Sequence, residues 1–148
     1  MADIKWSAFT DVGNLQNGDT IVGLRAGANV QFTAPVFDQQ IVVVTSGTQA
    51  MVTETIYIAN FGTLVTFTLP ATSAIGDLIS IIGKGAGGWK IAQTAGQQIF
   101  ISPNNTTLGV TGSLSSSFQY DSLNLICITA NTVWSVFGAP QSSGLTIV

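Results

Sequence analysis

The chain has 148 residues, of which 46% are hydrophobic and only 7% are charged, and its formal net charge is −3. Four basic residues are too few for the clustered Lys and Arg that bind nucleic acid. Because the sequence has no His and only one cysteine, Cys127, it excludes His-containing catalytic triads, His-based metal sites, cysteine clusters and an internal disulfide.

No segment has the roughly 20 consecutive apolar residues that a membrane-spanning helix requires. The most apolar window, residues 55–76, is interrupted by Asn60, Gly62 and Pro70. The N-terminus lacks a basic segment followed by an apolar one, so we expect no signal peptide and no membrane insertion. The apolar surface must therefore be covered by a core or by other copies of the chain.

The N-terminal third contains three β-type segments. Residues 20–25 and 30–33 flank the turn residues 26–29, which predicts a hairpin. Residues 41–45 form a continuous apolar run, a pattern typical of a strand buried on both faces.

A second hairpin is predicted around a short loop in the middle of the chain. Residues 53–59 and 64–69 are rich in β-branched and aromatic side chains, and residues 60–63 between them have the length of a hairpin loop. Pro70 ends the second strand because it has no N–H to donate to a ladder.

Further short apolar runs follow in the second half. They lie at residues 78–82, 89–93, 97–102, 113–118, 123–130, 133–137 and 145–148. We expect the second of these to pair with the first across a glycine-rich loop. The clearest hairpin joins the runs on either side of Asn131-Thr132.

About ten strands at a spacing of roughly 8–12 residues predict an all-β fold, either an antiparallel β-sandwich of jelly-roll type or a barrel. The edge strands of such a fold need charge or cover, and this chain has almost no Lys or Glu to place there. Partner subunits would provide that cover, because obligate interfaces are apolar. We therefore predict a homo-oligomer.

The string Gly83-Lys84-Gly85-Ala86-Gly87-Gly88 matches the dinucleotide-binding pattern G-x-G-x-x-G. That function requires a helix after the loop, whereas Trp89-Lys90-Ile91-Ala92 is strand-like. We therefore predict a structural loop, in which Gly83, Gly85, Gly87 and Gly88 provide backbone angles or close approaches, and no cofactor.

Two acids, Asp77 and Asp121, precede predicted strands, where Asp commonly caps a turn. We expect no catalytic residues and no enzyme, although a carboxylate site shared between subunits stays open at this point. Trp6, Trp89 and Trp134 have the side chain that stacks on sugars, but packing in a core or an interface is the favoured interpretation.

Several strings resemble phage and prophage virion proteins. Ile4-Lys5-Trp6-Ser7-Ala8-Phe9, followed by residues 18–30, is similar to an element at the start of tail-fibre and tail-appendage proteins. The second half resembles a module of the same proteins. Its strings are Leu69-Pro70-Ala71-Thr72, Gly76-Asp77, residues 83–89, Ile91-Ala92-Gln93, Ala95-Gly96-Gln97, Tyr120-Asp121-Ser122, Asn131-Thr132-Val133-Trp134 and residues 142–148. Residues 37–54 match least.

The resemblance implies a non-enzymatic virion structural protein, assembled in the host cytoplasm and commonly a β-rich homotrimer. The first expectation is a tail-fibre or tail-spike component that attaches to other virion proteins and presents a surface to a host glycan or receptor. The alternatives are a capsid decoration (cement) protein and a small glycan-cleaving tail-spike enzyme.

We expect two parts in the chain: an attachment or contact element at residues 1–35 and an oligomerising β-sandwich body at residues 36–148. A lone hairpin is marginal in water, so the first part must lie against other protein. The interface candidates are Trp6, Phe9, Leu24, Phe32, Trp89, Leu145 and Ile147.

Overall fold

A computed structural model describes residues 20–25, 28–33, 39–142 and 144–148. Within those ranges the only regular secondary structure is β-strand. The chain divides into two compact units, Met1–Asp38 and Gln39–Val148. The all-β prediction is therefore confirmed.

The first unit contains the predicted hairpin. Strands β1 (Thr20–Arg25) and β2 (Ala28–Thr33) pair antiparallel, with Thr20 opposite Thr33 and Arg25 opposite Ala28. The second strand begins two residues earlier than predicted, because pairing up to Ala28 leaves the two-residue connection that hairpins favour.

The second unit forms two sheets. Its strands are β3 (Gln40–Val44), β4 (Thr48–Ala50), β5 (Thr55–Ala59), β6 (Val65–Thr68), β7 (Leu78–Gly83), β8 (Trp89–Ala92), β9 (Gln98–Ile101), β10 (Asn104–Asn105), β11 (Ser113–Ser116), β12 (Ser122–Thr129), β13 (Val133–Gln141) and β14 (Leu145–Ile147). A seven-stranded sheet has the order β10-β9-β13-β12-β7-β5-β3, and a five-stranded sheet has the order β14-β11-β8-β6-β4.

The first six strands of this unit alternate between the two sheets. Strands β3, β5 and β7 run parallel in the larger sheet, and β4, β6 and β8 run parallel in the smaller one. Each successive strand pair therefore forms one turn of a flattened coil, and the three turns stack. The sheets are mixed, so the prediction of a purely antiparallel sandwich is wrong.

The coil also overturns two predicted pairings. The segment 60–63 does not close a hairpin between β5 and β6, and β8 does not pair with β7. Both connections carry the chain to the opposite sheet. Tyr57 of β5 and Phe67 of β6 consequently meet across the core with ring centroids 5.3 Å apart. A period-2 apolar pattern favours a strand without specifying its partner, which is why sequence reasoning chose the nearest strand.

The remaining strands include antiparallel pairs. The predicted hairpin of β12 and β13 is confirmed, and Asn131 in its turn has a φ of 65°. Strand β9 pairs parallel to β13, and β11 joins β8 to β14.

A single hydrophobic core lies between the sheets. The seven-stranded sheet contributes side chains such as Ile81, Leu125 and Trp134, and the five-stranded sheet contributes Phe67 and Trp89, all five of them buried. This arrangement agrees with a β-sandwich. The two buried indoles differ in one respect: Trp89 Nε1 donates to the Asp121 carbonyl oxygen at 2.8 Å, whereas Trp134 Nε1 has no hydrogen-bond partner among the described residues.

This difference gives a stability test. Trp89→Phe and Trp134→Phe remove the same volume from the same core, but only the first removes a buried hydrogen bond. We expect Trp89→Phe to lower the free energy of unfolding by about 1–2 kcal/mol more than Trp134→Phe. Chemical denaturation of both variants measures this difference, and equal losses would contradict the assignment.

Candidate functional site

The outer surface of the seven-stranded sheet is apolar. Strand alternation turns one set of side chains away from the core, and three rows cross the sheet in register. The rows are Val43–Ile58–Ile82–Ser122, Ile41–Ile56–Ser80–Asn124–Phe137 and Leu78–Ile126–Ser135–Phe100, and four of these thirteen residues are polar but uncharged. We call this surface the apolar face.

Several of its side chains are well exposed in the single chain. Ile41 is 65% exposed and Val43 is 52% exposed, and Ile82, Phe100 and Phe137 are each about two-fifths exposed. Soluble monomers seldom leave a contiguous apolar surface of this kind uncovered.

The outer surface of the five-stranded sheet has the opposite character. Its outward-pointing residues are Thr48, Ala50, Thr66, Thr68, Lys90, Ala92, Ser115 and Thr146. This surface, the polar face, suits contact with water. The two faces of the sandwich therefore differ sharply in polarity.

A depression lies in the apolar face where the register between β12 and β13 is interrupted by a bulge in β13. Ser122 of β12 pairs with Gln141, whereas Asn124 pairs with Phe137, so residues 138–140 bulge and Gly138 adopts a φ of 70°. The depression has a volume of about 220 Å³. Its lining residues are Ile56, Ser80, Ile81, Ile82, Ser122, Leu123, Asn124 and Ala139.

Only uncharged polar groups occur in this depression. The Ser80 hydroxyl donates to Asn124 Oδ1 at 2.7 Å, so the polar pair is partly satisfied within the face. An apolar or small uncharged side chain fits such a surface, because no buried charge has to be neutralised.

Two acidic side chains of the second unit cap turns, and a third borders the apolar face at Leu78. The Asp77 carboxylate accepts the Ala74 N–H at 2.9 Å, and the Asp121 carboxylate accepts the N–H groups of Ser117 and Phe118 at 2.8 and 2.9 Å. The predicted turn-capping role of these two acids is therefore confirmed. Glu54 has a φ of 56° and accepts the Leu78 N–H at 2.9 Å.

The glycine-rich loop is in backbone contact with the preceding turn of the coil. A Cβ atom on Gly85 would collide with the backbone of Phe61, and one on Gly87 would collide with the backbone of Thr63. Gly88 has a φ of 68°, and a Cβ there would lie 2.6 Å from Ser116 Oγ. A Cβ on Gly83 would lie 3.0 Å from the Asp121 carbonyl oxygen. The loop leads into β8 and not into a helix N-terminus.

The predicted interface residues belong to different parts of the chain. Trp6 and Phe9 lie outside the described residues, and Leu24 and Phe32 belong to β1 and β2 of the first unit. Trp89 is fully buried in the core of the single chain, so its assignment to an interface is wrong.

Two predicted interface residues lie near the C-terminus. Leu145 and Ile147 of β14 are half-buried against the core.

Sequence reasoning missed the apolar face itself. Residues 41–45 were expected to be buried on both sides, yet β3 is at the edge of its sheet, and only one of its sides meets the core. The available signal was apolar character at both alternating positions of β3 and β5, as in Ile56-Tyr57-Ile58. That pattern is typical of a strand covered on both faces.

Comparison with protein-family models and with curated proteins found no match. Among the described residues there is no group of three or more His, Cys, Asp or Glu side chains placed to hold a metal ion. No helix in those residues is long and apolar enough to cross a membrane.

The glycine contacts generate a second prediction. Gly87→Ala should lower the free energy of unfolding by about 2 kcal/mol, because the new methyl group overlaps the Thr63 backbone. Gly62→Ala is the matched control, since a Cβ at Gly62 meets nothing within 4 Å. Thermal or chemical denaturation that found the two variants equally stable would show that the close approach is unimportant.

Proposed function

We propose that this protein is a non-enzymatic structural subunit of a phage or prophage virion that self-associates through the apolar face into a homotrimer. In this proposal it is a component of a tail fibre, tail spike or other appendage. It attaches to other virion proteins and presents its remaining surface to a host glycan or receptor.

One observation supports self-association above all: the three rows of the apolar face contain no charged residue, and the Glu54 carboxylate borders them at Leu78, whereas the polar face contains Lys90. A surface without charge allows identical copies to meet without like-charge repulsion and without an unpaired buried ion. The face also has a suitable size. Five strands about 4.8 Å apart and about 17 Å long cover roughly 400 Å² of flat sheet, the same order as the 800 Å² or so per partner of a standard interface.

The virion assignment rests on the resemblance of the N-terminal and second-half strings to phage and prophage proteins. The trimer is the copy number that this resemblance implies. An all-β body with loops at its ends agrees with an appendage, because loops on a rigid sandwich are where such domains place binding residues. The second candidate is a capsid decoration protein, which would use the same self-associating face.

A charge placed within the apolar face tests self-association. Ile82→Lys should reduce the mass in solution at micromolar concentration to one third of the wild-type mass. The lysine would otherwise be buried without a partner. Mass photometry or light scattering measures this change.

Thr68→Lys is the matched control, because it places the same charge at an exposed position of the polar face. We expect it to leave the mass unchanged. If Ile82→Lys retains both the native circular dichroism spectrum and the wild-type mass, the apolar face is not the interface.

Imaging of intact virions, with this chain located in the density map, tests the place of the protein. The proposal expects it in a tail appendage. A position on the capsid surface would support the decoration protein instead, and its absence from the particle would overturn the virion assignment. Release of reducing ends from host polysaccharide would support the glycan-cleaving alternative.

A further inference from the structure

Two strand edges lie at the same end of the stacked coil. Strand β3 ends the order of the seven-stranded sheet, and β4 ends that of the five-stranded sheet. Together they form the first turn of the coil. The next turn stacks on one side of it, and no strand of the described sheets lies on its other side. A terminal turn of a stacked fold presents unpaired backbone groups unless it is capped.

The outward carbonyls of β4 accept hydrogen bonds from nearby side chains. Gly47 and Met51 direct their backbone groups toward β6, since the Gly47 carbonyl accepts the Thr66 N–H and the Met51 N–H donates to Thr68. The alternate residues therefore face outward. Their carbonyls are already engaged: Ser46 Oγ donates to the Thr48 carbonyl at 3.2 Å, and Gln49 Nε2 donates to the Ala50 carbonyl at 2.6 Å.

The edge of β3 has no such protection in the described part of the chain. Gln40 donates its N–H to the Glu54 carbonyl, and the Val44 carbonyl accepts the Asn60 N–H, so these residues face β5. By strand alternation the N–H and C=O groups of Ile41 and Val43 point to the open edge. No strand of either described sheet lies beyond them.

The remaining strand ends of the two sheets are less suited to pairing. Strand β10 has only two residues, both asparagines, and follows Pro103, which has no N–H. Strand β14 has only three residues, whereas β3 has five. The edge of β3 is thus the longest and most apolar one open to another strand.

We propose that β3 pairs antiparallel with β3 of a second copy, about a two-fold axis that passes beside Val42. In this register Ile41 lies opposite Val43 of the second copy and exchanges both N–H···O bonds with it. The two-fold axis generates the equivalent pair, in which Val43 lies opposite Ile41 of the second copy. The two seven-stranded sheets become one continuous sheet.

A second copy fits this edge better than an unrelated strand because the edge is self-complementary. A two-fold axis brings each free donor to a free acceptor, and the segment Ile41-Val42-Val43-Val44 has no charge to repel its copy. The side chains of Ile41 and Val43, each more than half exposed, would become cross-strand neighbours on the apolar face.

This contact goes beyond the proposed self-association and does not depend on it. A two-fold contact joins two copies, or two cyclic oligomers of any size, and thus doubles the copy number. The Ile82→Lys variant disrupts the apolar face and divides the mass by three, whereas an edge variant that adds no charge to that face divides the mass by two, so the two ideas fail separately.

Val43→Pro removes the N–H that points to the open edge and adds no charge to the apolar face, and proline at an edge is a device by which natural sheets prevent strand pairing. We expect the mass of this variant to be half that of the wild type by mass photometry at equal concentration. Thr48→Pro is the matched control, because it removes an outward N–H on the edge of β4, and its mass should equal the wild-type mass. A wild-type mass for a folded Val43→Pro protein would overturn the proposal.

Hydrogen exchange of the wild-type protein covers the case in which Val43→Pro fails to fold. The amides of Ile41 and Val43 should be protected at high protein concentration and lose protection on dilution, because their acceptors are in a second copy. Protection that is independent of concentration would show that another part of the same chain covers the edge, and no protection at any concentration would show that the edge is open. Either result overturns the proposal.

Discussion

The stacking of consecutive turns of the coil is the constraint on which the rest of the structure depends. The loop after β7 lies directly on the loop after β5: Gly85 donates its N–H to the Ala59 carbonyl, and Gly87 donates its N–H to the Phe61 carbonyl. Side chains at Gly85 and Gly87 would separate the two loops. With the loops in contact, β7 continues the ladder of β5 and β8 continues that of β6, so both parallel ladders depend on the same backbone approach.

The positions of the strands follow from local patterns, and most could be predicted from the sequence. The pairing could not. A run such as Thr55–Ala59 is compatible with either neighbour, and the choice between a hairpin and a crossing to the other sheet depends on contacts with strands far away in the sequence. The hairpin of β12 and β13 was predictable because Asn131 tolerates the left-handed conformation that its turn requires.

The sequence predicted that the chain has an apolar contact surface, but it did not predict where that surface lies. The shortage of charge indicated that a large apolar surface needs cover, and the structure assigns that surface to one side of one sheet. Trp89 illustrates why residue type alone was misleading: a large aromatic is equally suited to a core and to an interface, and its indole N–H found an acceptor inside the fold at Asp121. Ile82 and Phe137 are less conspicuous in the sequence, yet they are partly exposed.

Strand β3 links the two surfaces that single chains seldom leave open. Its side chains at Ile41 and Val43 belong to the apolar face, while the backbone groups of the same residues form the open edge. A lysine at either position would protect both, which is the usual solution in monomeric sheets. The absence of a lysine has a physical reason if both surfaces are buried in an assembly. A charge on β3 would then lose its water to the edge contact and to the face contact, and neither contact would provide a partner for it. The low charge of this segment is therefore what two overlapping interfaces would require.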